Sequence, residues 1–266
     1  MRWTDVAAAA AVLGVLAAGA PVGAETPELK GRAVAEEMDR RDLGFGDSAA
    51  EVKMELSNQQ GQTSTRELRI QTLEVPEREV GDKALIVFDH PRDIEGTALL
   101  SFTKILEPDD QWLFLPALKR VKRISSANKS GPFVGSEFAY EDMLAPEVDK
   151  YEYRWLRDEA CGALTCFVVE RYPLYENSGY TRQVTWIDQQ EYRVQRVEFY
   201  DRKDALLKTL TFSGYRQYLD QYWRADEWYM ENHQTGKTTR LTFAGWNFRN
   251  GLDDNDFDPN RLERLR

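Results

Sequence analysis

Apolar and polar residues alternate with a period of two through most of the chain, beginning near Ser48. Val52, Met54 and Leu56, for example, are separated by charged residues. Because successive side chains of a strand point to opposite faces, this pattern predicts half-buried β-strands. Similar alternation recurs in runs at 65–74, 97–105, 150–155, 166–174, 182–188, 193–200, 206–213, 227–232 and 240–243. Short turn signals separate the runs, which favours an antiparallel meander of ten or more strands.

Other periodicities are confined to a few segments. Lys30 to Arg41 has the spacing of a short helix, with Val34 and Met38 on one narrow apolar face. The runs 84–88 and 112–115 are apolar throughout, which predicts strands covered on both faces. The segment 125–146 interrupts the alternation, is rich in Ser, Gly and Pro, and carries aromatic residues that we expect to be exposed. It predicts a long loop with a short helix.

The first 24 residues have the pattern of a secretory signal peptide. Arg2 is followed by an apolar run from Val6 to Ala20 and then by small residues up to Ala24. The run is shorter than the ~20 apolar residues that a transmembrane helix needs. We therefore expect cleavage after Ala24, export of the mature protein, and a single domain over residues 25–266.

Composition narrows the functional classes. The 266 residues carry a net charge of −10, which argues against a nucleic-acid partner because phosphate binding needs a basic surface. Only two histidines are present and they have no metal-ligand spacing, and no known catalytic motif occurs. The acidic run 253–258 lacks the glycine and the terminal glutamate of a calcium loop, so it predicts a solvated turn. We therefore predict no catalytic residue, no metal and no cofactor.

The two cysteines are close together. Cys161 and Cys166 flank a four-residue segment between two predicted strands. In an oxidising compartment this spacing is typical of a structural disulfide that closes a small loop, whereas redox-active pairs more often have the Cys-x-x-Cys spacing. We predict a disulfide.

Two further features concern binding. The basic run Lys119–Arg123 is typical of a charged edge strand. The alternative interpretation is a docking site for an acidic partner or an anionic head group. The apolar stripes of ten or more strands have only one or two helices to cover them. One curved sheet with so few helices would leave an apolar groove suited to lipid.

The central segment carries a family resemblance. The stretches Trp112–Ile124 and Phe133–Asp142, with Phe88–Leu100 upstream and Asn255–Leu262 at the end, resemble the outer membrane lipoprotein-sorting protein family, whose members are relatives of the LolA and LolB carriers. The similarity extends over roughly residues 30–266. The Gly135–Asp142 stretch is its most specific part.

The resemblance implies a mainly β protein with one half-open antiparallel β-barrel, an N-terminal helix and a short central helical lid. It implies a periplasmic carrier, in a Gram-negative envelope, of lipid or lipoprotein acyl chains. It also implies that this carrier works with an inner-membrane exporter of the resistance-nodulation-division (RND) type. We expect a monomer, and a periplasmic sensor of lipids or mislocalised lipoproteins is the alternative. Aromatic and aliphatic residues of the stripes and of segment 125–146 are the candidate lipid contacts: Trp112, Phe114, Phe133, Phe138, Tyr140, Met143, Leu144, Tyr153 and Trp155. Whether Gly135, Ser136 and Glu137 contact a head group or only shape a turn stays open.

Overall fold

The computed structural model describes residues 25–76, 80–105 and 107–264, and the predicted signal peptide lies outside them. In these residues thirteen antiparallel strands form one sheet, with Arg120–Ile124 (β6) at one edge and Tyr151–Cys161 (β7) at the other. The sheet is curved and unclosed, because its two edge strands β6 and β7 are not paired. This is the half-open barrel that the resemblance implies.

The boundaries agree with the alternating runs. One helix, α1, extends over Pro27–Asp42. The strands are β1 Asp47–Ser57, β2 Thr63–Leu73, β3 Val80–His90, β4 Ala98–Lys104, β5 Asp110–Leu115, β6 Arg120–Ile124, β7 Tyr151–Cys161, β8 Leu164–Pro173, β9 Tyr180–Asp188, β10 Val194–Asp201, β11 Leu206–Tyr218, β12 Tyr222–Asn232 and β13 Thr238–Phe248. The predicted short central helical lid consists of short 3-10 helices at Ser126–Asn128, Phe133–Gly135 and Tyr140–Met143, and a further 3-10 helix follows at Val148–Lys150.

The topology gives segment 125–146 its position. The chain builds strands β1 to β6 outward to one edge of the sheet and then resumes at β7, on the opposite edge. Strands β7 to β13 return to the middle, where β13 pairs with β1. The connection from β6 to β7 passes over the concave face, as the contacts of its aromatic side chains show below. We call residues 125–146 the lid segment.

Helix α1 begins with a capped turn. The Thr26 side chain accepts a hydrogen bond from the Leu29 amide (3.2 Å), and Pro27 occupies the first turn. The buried face of the helix contains Gly31, Val34 and Ala35 and packs against β7. The helix thereby covers the sheet near one edge.

The closest contact of this helix is at Gly31. A Cβ there would lie 2.6 Å from the Trp155 amide nitrogen and 2.8 Å from the Arg154 carbonyl carbon, both backbone atoms. Ala favours helices over Gly by about 1 kcal/mol, but overpacking costs about 1–3 kcal/mol and a backbone wall places this site at the upper end. We expect Gly31→Ala to lower the free energy of unfolding in denaturant titrations.

A control for this substitution lies two residues further along the same helix. Ala33 is exposed, so Ala33→Gly changes helix propensity without changing a packed contact. We expect it to cost about 1 kcal/mol, which measures the propensity difference within this helix. A Gly31→Ala protein that gains this amount of stability would contradict the expectation, because it would show that the backbone of β7 accommodates the added methyl group.

Two apolar clusters lie on opposite faces of the sheet. The concave cluster contains Phe88, Leu99, Leu113, Met230 and Leu241, and the lid segment packs into it. The outer-face cluster lies on the convex side over β3 to β5, where the C-terminal turns Asp254–Phe257 and Pro259–Arg264 cover it with Phe257 and Leu262. The acidic C-terminal run, predicted to be a solvated turn, therefore contains a buried aromatic residue.

Two predictions from local pattern are confirmed. Cys161 and Cys166 form a disulfide across the β7–β8 hairpin, with a Cα–Cα distance of 5.9 Å. The basic run lies mostly on β6, which is an edge strand of the sheet. Charged side chains at such an edge disfavour pairing with another chain.

Candidate functional site

A cavity of about 180 Å³ lies on the concave face. Helix α1, the lid segment and strands β7 to β12 enclose it. Most of its wall is apolar because inward-facing positions of β10 to β12 carry large apolar side chains. These wall residues are Val194, Val197, Phe199, Leu210, Phe212 and Trp228, and further apolar wall residues include Met38, Leu144, Ala145 and Pro146.

The lid segment fills the concave face beside this cavity. Phe133 and Phe138 are both 0% exposed, which corrects the expectation of exposed aromatic residues. The ring centres of Phe133 and Phe88 are 5.7 Å apart, and those of Phe138 and Trp228 are 6.5 Å apart. An open concave sheet leaves its apolar stripe unpaired, so these rings take the place of a second sheet or a helix.

Polar contacts also hold the lid segment. The Lys208 ammonium on β11 donates to the Asp142 carboxylate (2.6 Å) and to the Glu137 carbonyl (2.9 Å). The Tyr180 hydroxyl donates to the other Asp142 oxygen (2.7 Å). The side chains of Lys208 and Asp142 are 4% and 5% exposed, so this ion pair is shielded from water.

Glu141 joins the lid segment to the turn before β9. Its carboxylate accepts hydrogen bonds from the Gly179 amide (2.8 Å), the Ser178 hydroxyl (2.9 Å) and the Tyr175 hydroxyl (3.1 Å). Burial, and then the charge of Asp142, raise the pKa of the Glu141 carboxyl above its ordinary value. All three donors are neutral groups.

A third polar contact closes the end of the cavity. Asp109 binds the Lys150 ammonium, and Lys129 approaches the same carboxylate at 3.4 Å. The side chains of Asp109, Lys129 and Lys150 are 4%, 5% and 8% exposed. Burial lowers the pKa of Lys150 despite the opposing effect of Asp109. The two ammonium groups therefore share one carboxylate.

The most specific part of the resemblance has a structural role here. The Ser136 hydroxyl donates to the Phe133 carbonyl (2.7 Å), and Gly135 has φ +76°, a conformation that favours glycine. Glu137 binds the Thr239 hydroxyl through its amide (3.0 Å) and the Asn232 side chain through its carboxylate (2.6 Å). These residues shape the turn and attach it to β12 and β13, and they are absent from the cavity wall.

The predicted contact residues fall into three groups. Tyr153 and Leu144 line the cavity. Phe133, Phe138, Tyr140 and Met143 belong to the lid segment and pack on the concave cluster. The other three lie away from the cavity.

Trp112 and Phe114 are in the outer-face cluster, where the C-terminal turns cover them. The apolar residues of that strand on the concave side are Leu113 and Leu115. The prediction that these two residues line the groove is wrong, because an apolar run does not reveal which of its faces is the inner one. Trp155 lies beside α1, 3.6 Å from the Lys30 ammonium.

The sequence-based prediction missed the polar residues of the cavity wall. Arg171, Gln183 and Thr185 line it from β8 and β9, and Lys208 lies at its lid side. Each lies an even number of residues from an inward-facing apolar residue on its own strand and therefore on the same face, as Arg171 does with Val169. The available signal in the sequence was a polar residue at a position where the alternation predicts an inward-facing apolar residue.

None of the helices in the described part of the chain has the length and apolar character to cross a membrane. Within 25–76, 80–105 and 107–264, no group of three or more His, Cys, Asp or Glu side chains is arranged to hold a metal ion.

Comparison with known proteins gives matches over nearly the whole described chain. A family model described only as "Uncharacterized protein" matches residues 81–264. No curated protein matches. The structure of an outer membrane lipoprotein-sorting protein domain from Vibrio parahaemolyticus is 55% identical, with a TM-score of 0.86, and the match covers 88% of this chain and 99% of that one.

Two further structures are similar to this fold at lower sequence identity. A DUF1329 family protein from Desulfovibrio piger is 29% identical with a TM-score of 0.84, covering 89% of this chain and 99% of that one. A LolA superfamily protein from Nitrosomonas europaea is 21% identical with a TM-score of 0.67, covering 86% and 97%. The last similarity concerns the fold alone. At 55% identity over its described length, the chain belongs to the outer membrane lipoprotein-sorting protein family and has the LolA-like half-barrel fold.

Proposed function

We propose that this protein is a non-enzymatic periplasmic carrier that binds the acyl chain of a lipid or lipoprotein on its concave face. The observation that carries the proposal is the apolar cavity of about 180 Å³ between α1 and the lid segment. Membership in a lipoprotein-sorting family supports this choice of ligand. The disulfide and the predicted signal peptide support an oxidising, extracytoplasmic location.

The size of the cavity defines what must move. A volume of about 180 Å³ is close to that of a cavity holding one benzene molecule, roughly 150 Å³. A complete acyl chain is several times larger, so the closed protein accommodates only part of one. The lid segment fills the adjoining concave surface, and its displacement would extend the cavity along the sheet.

In this proposal, lipid binding exchanges the apolar side chains that cover the concave face for the acyl chain of the ligand. Burying about 15 methylene groups at ~0.8 kcal/mol each gives on the order of 12 kcal/mol. An acyl chain that displaces Phe133 and Phe138 covers the same concave surface that these rings cover in the closed protein. Loading and release then depend on the lid segment, and we propose an RND-type membrane exporter as the partner that receives or supplies the lipid.

The test is detergent-free purification from the periplasm, followed by native mass spectrometry and organic extraction. We expect a bound lipid in the wild-type protein and its loss in Ala145→Phe, because residue 145 lines the cavity from the lid side and the added ring would occupy it. Leu118→Phe, at an exposed position outside the cavity, is the control. Wild-type protein that contains no lipid and takes up none from added vesicles would contradict the proposal.

A further inference from the structure

Four polar side chains form a row on the otherwise apolar cavity wall. Tyr153 on β7 pairs directly with Arg171 on β8, and Arg171 pairs directly with Gln183 on β9. Thr185 lies two residues beyond Gln183 and therefore on the same face. All four line the cavity. Directly opposed residues have Cβ atoms about 4.5–5.5 Å apart, so these side chains can contact one ligand group together.

Arg171 has a positive charge that no carboxylate neutralises. Its Nε and Nη2 both donate to the Gln183 side-chain oxygen, at 2.8 and 2.5 Å. Its guanidinium lies 4.5 Å from the centre of the Tyr151 ring. Among the residues that the structure describes, no Asp or Glu oxygen comes within 4.0 Å of it. A guanidinium has five N–H donors, so several remain available for a ligand.

Thr185 provides the second observation. Its side-chain oxygen is buried and has no hydrogen-bond partner in the described part of the chain, and the residue is only 6% exposed. Buried polar groups in folded proteins are nearly always hydrogen-bonded, so a cavity-wall hydroxyl that no protein group engages is available to a ligand. Gln183 accepts from Arg171 through its oxygen, which leaves its amide nitrogen as a further donor beside this hydroxyl.

The remaining charged groups of the cavity already have partners. Asp109 is bound by Lys150, and Asp142 is bound by Lys208. Glu141 has three neutral donors. The unused hydrogen-bonding capacity is therefore concentrated in the row on β7 to β9, and most of it consists of donors around one positive charge.

We propose that Arg171, assisted by Thr185, Gln183 and Tyr153, binds the anionic head group of a lipid, a carboxylate or a phosphate, while its chain lies along the apolar wall of β10 to β12. The inference rests on the proposed carrier function and adds the substrate class. Arginine suits this role because its planar fork matches the oxygens of both anions. The apolar wall begins on the neighbouring strand, which gives the ligand a polar end and an apolar end in fixed order.

Three probes of equal chain length test the charge requirement: palmitate, hexadecyl phosphate and uncharged hexadecanol. We expect the wild-type protein to bind at least one of the two anions about ten-fold or more tightly than hexadecanol, measured by competition in native mass spectrometry and by calorimetry. Which anion binds more tightly identifies the head group. We expect Arg171→Met to remove this preference with hexadecanol binding little changed, and Arg171→Lys to retain part of it.

Thr185→Val supplies a variant of nearly the same shape without the hydroxyl. We expect it to reduce the preference for the anion and to raise the melting temperature of the empty protein, because the unpaired hydroxyl is removed. Equal wild-type binding of all three probes, or an unchanged preference in Arg171→Met, would overturn the head-group inference and leave the carrier proposal standing. Failure of all three probes to bind would overturn both.

Discussion

Replacing Lys208 with Met is expected to lower the free energy of unfolding by about 3–5 kcal/mol, because the substitution leaves the buried Asp142 carboxylate without its cation. Both side chains are at most 5% exposed, so water does not replace the lost partner. Lys208 also donates to the Glu137 carbonyl, and one substitution therefore removes two attachments of the lid segment. We expect hydrogen exchange to accelerate in residues 125–146 more than in β1 and β2.

Two further variants separate the lid effect from a general loss of stability. Arg193→Met breaks another ion pair with a buried carboxylate, that of Asp188 at the end of β9, 2.8 Å away. We expect it to destabilise the protein without selective exchange in the lid segment. Adding Asp142→Asn to Lys208→Met removes the unpaired charge, and we expect part of the lost stability to return in a double-mutant cycle. A uniform rise in exchange for Lys208→Met and Arg193→Met would show that the lid segment does not open separately.

Lid opening also has a functional readout. If the concave face binds an acyl chain under the lid segment, Lys208→Met lowers the barrier to entry and exit. We expect faster transfer of a fluorescent lipid between the protein and vesicles, with little change for Arg193→Met. This result would connect the ion pair to lipid exchange, whereas the hydrogen-exchange result concerns only the lid.

The strands were predictable because a curved sheet with one buried face imposes strict alternation. Val52, Met54 and Leu56 show it on β1. The sequence does not reveal which face of a strand lies on the concave side of the sheet. At β5 both faces are covered, so Trp112, Leu113 and Phe114 were equivalent in the sequence, although only Leu113 faces the concave side. The C-terminal turns that cover the outer face lie more than 130 residues away.

The lid segment illustrates the same limit. Its Ser, Gly and Pro content correctly predicted a break in the strand pattern, but burial of Phe138 depends on Trp228, which is far away in the chain.

The row of polar residues on the cavity wall could not be predicted from the sequence for a different reason. Arg171 and Thr185 are ordinary residues in a strand until the register of β8 and β9 shows that they face one cavity.

Phe138→Ala is expected to lower the free energy of unfolding by about 3–5 kcal/mol, because a fully buried ring leaves a cavity that the surroundings only partly fill. Phe257→Ala is the matched control, since Phe257 is 1% exposed but belongs to the outer-face cluster. Both variants lose an aromatic ring from a packed cluster, so we expect similar losses of stability. Thermal and denaturant unfolding measure this first part.

The two variants should differ in what they bind. The ring of Phe138 lies against Trp228, which lines the cavity, so its removal extends the space available to an acyl chain. We expect Phe138→Ala to shift the preferred fatty acid to a longer chain in native mass spectrometry of a mixed-length set, and Phe257→Ala to leave the preference unchanged. A parallel shift in both variants would indicate general loosening of the fold. No shift in either would show that the lid segment only fills the core, because a ring that merely packs changes stability without changing which chain the cavity accepts.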